Sequence, residues 1–265
     1  MTLQATTLGW LIYLGMAFYL LAFVLFKAHR PKAGTWTYAA GFIAAWAAVG
    51  FRGWHAGHPP LQNMFEVFLI LGALFFPLSV FCRRVLNIGG EWIDPLLGFV
   101  VLWPAGFVFD PQLKPLPPAL QSPLFVPHVM AYMLSYIFMA KAAVQAAARL
   151  AGGPAAEPGF PDRDEAIYRL IGVGFPFMTL GLLLGAWWGK LAWGDYWNWD
   201  PKELWSLAAW LVYAGYFHFR ALPNGRTYGR AGAVLALVGF TGVVLTLLWV
   251  NLAGRFSGLH SYAMP

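Results

Sequence analysis

Long apolar runs alternate with short polar breaks along this chain, at a spacing that suits helices rather than strands. About 20 mostly apolar residues cover the hydrocarbon core of a bilayer as a helix, and runs of that order recur eight times. They fall at about 8–26, 36–51, 61–81, 92–109, 126–148, 167–188, 204–219 and 231–253. The first carries no charge until Lys27, His29, Arg30 and Lys32 stop it. A secretion signal would open on basic residues, which 1–7 lacks, so this run reads as a retained helix. The third run carries one acid, Glu66, about a turn in from its start, and the fourth is the weakest, with Asp94 and Pro95 near its beginning. The pattern predicts an all-α, polytopic membrane protein of about eight transmembrane helices, a single transmembrane domain over 1–265.

Eight crossings put both termini on one side. Arg52, Lys114, Lys190, Lys202 and Arg255 then share a face, and the other 12 of the 17 Lys and Arg residues sit in or beside the opposite loops. Basic loops stay in the cytoplasm, so both termini are expected on the outer, periplasmic or lumenal side. That outer face receives a tryptophan-rich loop at 190–203, the C-terminal tail and a loop at 110–127. The last holds Pro111, Pro115, Pro117, Pro118, Pro123 and Pro127, a density that makes it extended and semi-rigid. No internal repeat supports an inverted-repeat transporter. No connecting segment is long enough for a separate soluble domain.

Composition removes other classes. Hydrophobic residues make up 60% and charged residues 11%, against about 45–50% and 25% in soluble domains. The net charge of +6 sorts by membrane side and does not point to nucleic acid. Cys82, the single cysteine, excludes a disulfide framework, a thiol-relay pair and a CxxCH haem attachment site of the chain's own.

The densest chemistry is Trp193-Gly-Asp-Tyr-Trp-Asn-Trp-Asp-Pro-Lys-Glu-Leu-Trp205, with four tryptophans in 13 residues. An interfacial aromatic belt accounts for part of it, and Asp200 with Pro201 reads as a helix start. A flat apolar platform with Asp195, Asp200, Lys202 and Glu203 as polar handles equally suits a large planar ligand. Histidines supply neutral imidazoles for iron. His128 opens the fifth helix on the outer face, and His260 follows the eighth on the same face. With the aromatic segment they suit axial ligands on opposite sides of a haem, or else an interfacial helix start and a tail. His218 lies about 27 Å along the seventh helix from Asp200 at 1.5 Å per residue, near the cytoplasmic end. It is either a functional intramembrane group or a residue snorkelling beside Arg220. His55 and His58 share a turn before the third helix, where chelation and a tight re-entry turn both fit, and His29 reads as solvated. Glu66 needs a partner within the membrane, a basic residue or a proton. No nucleophile elbow, phosphate loop or HExxH is present.

Trp193-Gly-x-x-Trp197-x-Trp199-Asp200-Pro-Lys-Glu resembles the tryptophan-rich "WWD" signature of haem-handling cytochrome c assembly proteins. Its Pro-Lys-Glu-x-Trp extension is similar to the CcsA/ResC branch of system II and argues against the system I members. Tyr216-Phe217-His218 follows, with the tyrosine displaced from that branch's pattern. Gly57-His58-x-Pro60-Leu61-x-Asn63-x-x-Glu66 and Gly258-Leu259-His260-Ser261-Tyr262 agree as well, so the resemblance covers about 57–262.

The resemblance implies a haem delivery and attachment subunit of a cytochrome c synthase, a haem-lyase type of enzyme. Haem b (iron protoporphyrin IX) would enter a membrane site and move to an outer site. His128 and His260 match the family's axial ligands there, and His218 its membrane haem histidine. Trp193, Trp197, Trp199 and Asp200 would present the vinyl edge of the haem to the CxxCH of an apocytochrome c, with His58 and Glu66 among the cofactor-binding residues. Bis-histidine ligation would hold the iron reduced. The implied partners are a ResB/CcsB-like membrane subunit, which supplies the second membrane histidine and a large external domain this chain lacks, the apocytochrome client and a thiol-reducing protein. The implied setting is the bacterial cytoplasmic membrane, or a thylakoid membrane in a plastid-like lineage. A haem exporter or chaperone without a ligation role, and a non-haem transporter or scaffold using Glu66 and His218, are the competing readings.

Overall fold

A computed structural model describes residues 6–153, 158–223 and 229–249, and these form eight α-helices with no strand among them. They are α1 (Thr7–Lys27), α2 (Pro31–Ala56), α3 (Met64–Arg84), α4 (Asp94–Phe107), α5 (Phe125–Leu150), α6 (Arg163–Trp193), α7 (Pro201–Ala221) and α8 (Gly229–Val244). A π-helical turn, Leu245–Trp249, extends α8. Five of them, α1, α3, α5, α6 and α8 with its extension, are long and apolar enough to cross a membrane, and α4 is a shorter apolar helix. The chain is a multi-pass membrane protein.

The ends of the helices are set by capping rather than by hydropathy, so most run past the apolar stretches. Pro31 opens α2 five residues early, since its missing N–H is one the first turn leaves unpaired anyway; Gly57 closes the helix at φ 71°. Asp162 caps α6 by accepting from Glu165 N at 2.8 Å, and α6 continues to Trp193 before Gly194 turns left-handed at φ 93°. This helix of 31 residues is about 46 Å long at 1.5 Å per residue. It takes over the first part of the expected 190–203 loop, leaving 194–200 between helices. In contrast α3 begins three residues late, where the Asn63 side chain accepts from Glu66 N at 3.0 Å. The expected end of the eighth run, 250–253, and the C-terminal tail lie outside the described residues.

The helices fall into two compact units. In the first, α1–α4 gather around Tyr19, which is fully buried. Its ring lies over Gly41 of α2 and Gly98 of α4, where a β-carbon would collide with it, and its hydroxyl donates to the Gly72 carbonyl of α3 at 3.1 Å. One side chain thus touches the three other helices. In the second unit, α5–α8 pack together with the short segment 84–89. Arg169 of α6 donates to the Leu86 carbonyl at 3.0 Å, and Gln145 of α5 to that of Gly89 at 3.3 Å. The Tyr213 ring of α7 lies flat on Gly239 of α8.

Candidate functional site

The tryptophan-rich segment of the second unit is built around one carboxylate. Glu203, in the first turn of α7, accepts from Asn198 N at 2.8 Å and from Asp200 N at 3.2 Å. Asp200 in turn accepts from Lys202 N at 2.9 Å, so the two acids form a reciprocal capping box, with Pro201 at the first helical position. Wrapping the backbone around Glu203 forces Trp199 into a left-handed conformation, φ 56°. A bulky residue rarely adopts that region, and it does so here at a cost of about 1–2 kcal/mol. The turn throws Trp199 outward, 68% exposed, with the half-buried Trp197 edge-on to it at 6.1 Å. Tyr196 is 60% exposed, and Lys190 lies over its ring at 5.6 Å. Asp200 itself is buried.

The inner half of the segment leads to His128. Trp193 packs on Trp188 at 5.0 Å between ring centres, and Trp188, 2% exposed, meets the His128 imidazole at 5.5 Å. Phe125 and Tyr132, one turn to either side of His128 on α5, close the cluster. His128 Nδ1 lies 2.9 Å from the Gly181 carbonyl. A carbonyl only accepts, so Nδ1 carries a hydrogen; in the neutral ring this is the tautomer with its lone pair on Nε2, the form that binds a metal. Among the described residues no group of three or more His, Cys, Asp or Glu side chains is placed to hold a bare metal ion. The donor set here is a single imidazole beside an aromatic wall, and it suits an iron that arrives in its own macrocycle.

Charge at this end is tuned by burial. Lys202 precedes the 204–219 stretch, and burial pushes its ammonium down to about 8, against the pull of the Asp200 carboxylate.

The other expected residues lie elsewhere. His218 is exposed near the far end of α7, with Nδ1 2.8 Å from the Ala214 carbonyl. It shares a face with the exposed Leu211 and Gly215, away from the tryptophan segment. In the first unit, His58 bonds the adjacent Pro59 carbonyl at 3.0 Å in the turn after Gly57, and the exposed His55 stacks on Phe51. Glu66 is 1% exposed, and its partner is Arg52 of α2, at 2.8–2.9 Å through Nη2 and Nε. Its second oxygen accepts from Gln62 N at 2.7 Å. Arg52 also donates to the carbonyls of Pro111 and Gln112, and Gln62 to that of Pro115, so this network ties down the proline-rich loop. His260 lies outside the described residues. Gly181 and Gly185 carry no site expectation from the sequence, Trp188 only flanks the tryptophan-rich motif there, and Glu203 reads as a polar handle for a ligand rather than as the cap it is. The signals for them were a Gly-x-x-x-Gly-x-x-x-Gly run at 181–189 and the Asp-x-x-Glu spacing of a capping box.

The chain matches the family described as "Cytochrome C assembly protein" over residues 7–258. It is 36% identical over 221 residues to a cytochrome c biogenesis protein CcsA of Chlamydomonas reinhardtii, covering 78% of this chain and 62% of the relative. A CcsA of Guillardia theta is 34% identical over 244 residues, covering 81% and 80%. A CcsA of Synechococcus elongatus is 31% identical over 290 residues, covering 88% and 87%. Among solved structures, "Cytochrome c Heme Lyase CcmF" superposes with a TM-score of 0.65 at 21% identity. That match covers 92% of this chain and 48% of the other, and at this identity the likeness is one of fold. The chain spans less than two thirds of the Chlamydomonas relative and about half of the lyase.

Proposed function

The chain belongs to the cytochrome c assembly protein family, on its CcsA side, and we propose that it presents haem on the outer membrane face for attachment to apocytochrome c. The observation that carries this is His128, whose Nδ1 meets the Gly181 carbonyl and whose ring is joined through Trp188 to the tryptophan-rich segment. An imidazole and an outward aromatic platform fit a planar iron macrocycle, which is here the substrate.

In this reading His128 binds the iron on one side and His260, on the tail, on the other. Trp197 and Trp199 hold the macrocycle edge, while Asp200 and Glu203 act through the backbone they cap. When bound, haem supplies two vinyl groups. A client cysteine thiol adds across each, its sulfur bonding one vinyl carbon and its proton going to the other, with no net transfer of electrons. The chain's residues contribute position and shield the ring from water. Tyr196 and Trp199 stand exposed where a client must approach.

His218 is the membrane haem ligand in this proposal. Its exposure on an apolar helix beside Gly215, over which nothing lies within 4 Å, leaves room for the macrocycle and for a histidine from a ResB/CcsB-like subunit. Eight crossings with both termini outside complete the scheme, in a bacterial cytoplasmic or thylakoid membrane. Although α2 is less apolar than its neighbours, Trp36 and Trp54 are 78% and 86% exposed at its two ends. They stand about 27 Å apart along the helix, near the thickness an aromatic belt brackets at about 30 Å.

The test is the absorption spectrum of the detergent-purified chain co-expressed with the partner subunit, beside His128→Ala and His260→Ala. A reduced bis-histidine spectrum altered in both variants is expected, together with covalent holocytochrome when an apocytochrome is supplied. Haem binding without attachment would reduce the chain to a chaperone. A spectrum unchanged in both variants would remove the outer site.

A further inference from the structure

On α6, Gly181, Gly185 and Gly189 recur every four residues on one face, and each receives a different part of the site. A β-carbon on Gly181 would stand 2.9 Å from the Tyr132 ring. On Gly185 it would stand 2.6 Å from His128 Cε1 and 2.9 Å from Nδ1. On Gly189 it would meet the Asp195 carbonyl at 3.3 Å and the Trp193 ring at 3.6 Å. The imidazole therefore packs directly against backbone that a β-carbon would occupy, and this close approach is compatible with Nδ1 reaching the Gly181 carbonyl. Trp188, on the next turn, walls the ring on its remaining side and passes the contact to Trp193.

We propose that this glycine ladder is a positioning device for His128: Gly185 seats the ring, the Gly181 carbonyl fixes the Nδ1–H tautomer, and Trp188 sets the ring's tilt relative to the tryptophan-rich segment. The inference rests on His128 being a haem ligand, but its first half concerns the haem-free chain. A rigid ligating histidine normally has its second nitrogen held by such an acceptor, because the bond orients the ring and raises the basicity of the other nitrogen. Here the acceptor is main chain, 53 residues away in sequence, so its position is set by the packing of α5 on α6. The same packing fixes where Gly189 supports Trp193. One interface therefore registers the iron ligand against the foot of the platform.

The experiment uses the full-length chain in detergent, free of haem, with 15N-labelled histidine. Nitrogen NMR, with the His128 signals identified by their loss in His128→Ala, should show Nδ1 protonated and Nε2 with the lone pair. This is the reverse of the tautomer that predominates for histidine in water. An Nε2–H form or a fast average would overturn the proposal. Gly185→Ala should abolish that fixed tautomer and, on titration with haem alone, the bis-histidine bands as well. Gly172→Ala, on the same helix with nothing within 4 Å, should change neither. Both substitutions favour helix, so a loss confined to Gly185→Ala is not a loss of α6. If Gly185→Ala does not fold, the wild-type NMR result still decides. If His128→Ala alters the haem spectrum while Gly185→Ala keeps both readouts, the ladder is refuted and the ligand stands. If His128→Ala leaves the haem spectrum unchanged, the ligand reading falls, whatever the NMR shows of the tautomer.

Discussion

Trp199 offers a test in which the usual order of two substitutions reverses. Its φ of 56° costs a residue bearing a β-carbon about 1–2 kcal/mol, a cost glycine escapes. Replacing the tryptophan by either Ala or Gly removes the same ring. About a third of that ring's roughly 250 Å² is buried, so both variants lose around 2 kcal/mol at about 25 cal/mol/Å². The comparison between them cancels that loss. What remains is relief of the left-handed strain, less about 0.4–1 kcal/mol for the extra freedom glycine has when unfolded. Trp199→Gly should therefore be the more stable, by up to about 1.6 kcal/mol and by about 0.8 kcal/mol at mid-range, the latter roughly 2–3 °C in thermal midpoint for a chain of this size. Elsewhere in regular structure alanine is the more stable of the two. Monodispersity of the detergent-solubilised chain after heating reads the midpoint. Under the proposed function both variants also lose haem presentation, and Trp199→Phe restores part of it without relieving strain. An alanine variant more stable than the glycine one would refute the claim that Glu203 holds Trp199 in a costly conformation.

Two further outcomes follow from buried charge. The Lys202 pKa of about 8 lies below the ordinary 10.5, so between those values the unfolded chain binds more protons than the folded one. Stability should then rise as pH increases from about 8 to 10.5, and Lys202→Gln should flatten that rise in thermal midpoints measured against pH; an equal slope in the variant would refute it. Glu66→Gln leaves the Arg52 guanidinium buried without its counter-charge and should cost about 3–5 kcal/mol, whereas a paired Arg52→Met, Glu66→Leu variant should recover a good part of it. Proteolysis at 110–117 should accelerate in Glu66→Gln, because Arg52 also holds Pro111 and Gln112; thermal melts and cleavage unchanged from the parent would count against the clamp.

The helices were readable because apolar runs recur along the chain, five of them long and apolar enough to cross a bilayer, and that pattern is written residue by residue. Their ends were not, because caps are local: α6 continues past Trp188 until Gly194 stops it, whatever the hydropathy does. Glu66 announced its need for a base, but Arg52 becomes that base only when α2, α3 and the proline-rich loop meet. His128 was visible as an outer-face imidazole, while its tautomer depends on a carbonyl of another helix. Tyr19 was hidden, since its role depends on glycines of three other helices.

The same distinction divides the tryptophan-rich segment, whose residues look alike in sequence. Trp193 turns inward onto Trp188, and Trp199 outward, because Gly194 and the Glu203 cap reverse the chain between them. The acids of the motif, Asp200 and Glu203, spend their hydrogen bonds on backbone amides of 198–202. Their chemistry is therefore expressed through where they hold two rings. A segment meant only to anchor the helix at the interface would need no residue in the left-handed region and no buried carboxylate. Under the proposed function, strain at Trp199, offset by hydrogen bonds to Glu203, serves a presenting surface, because it keeps an apolar ring exposed when local backbone preference would fold it away.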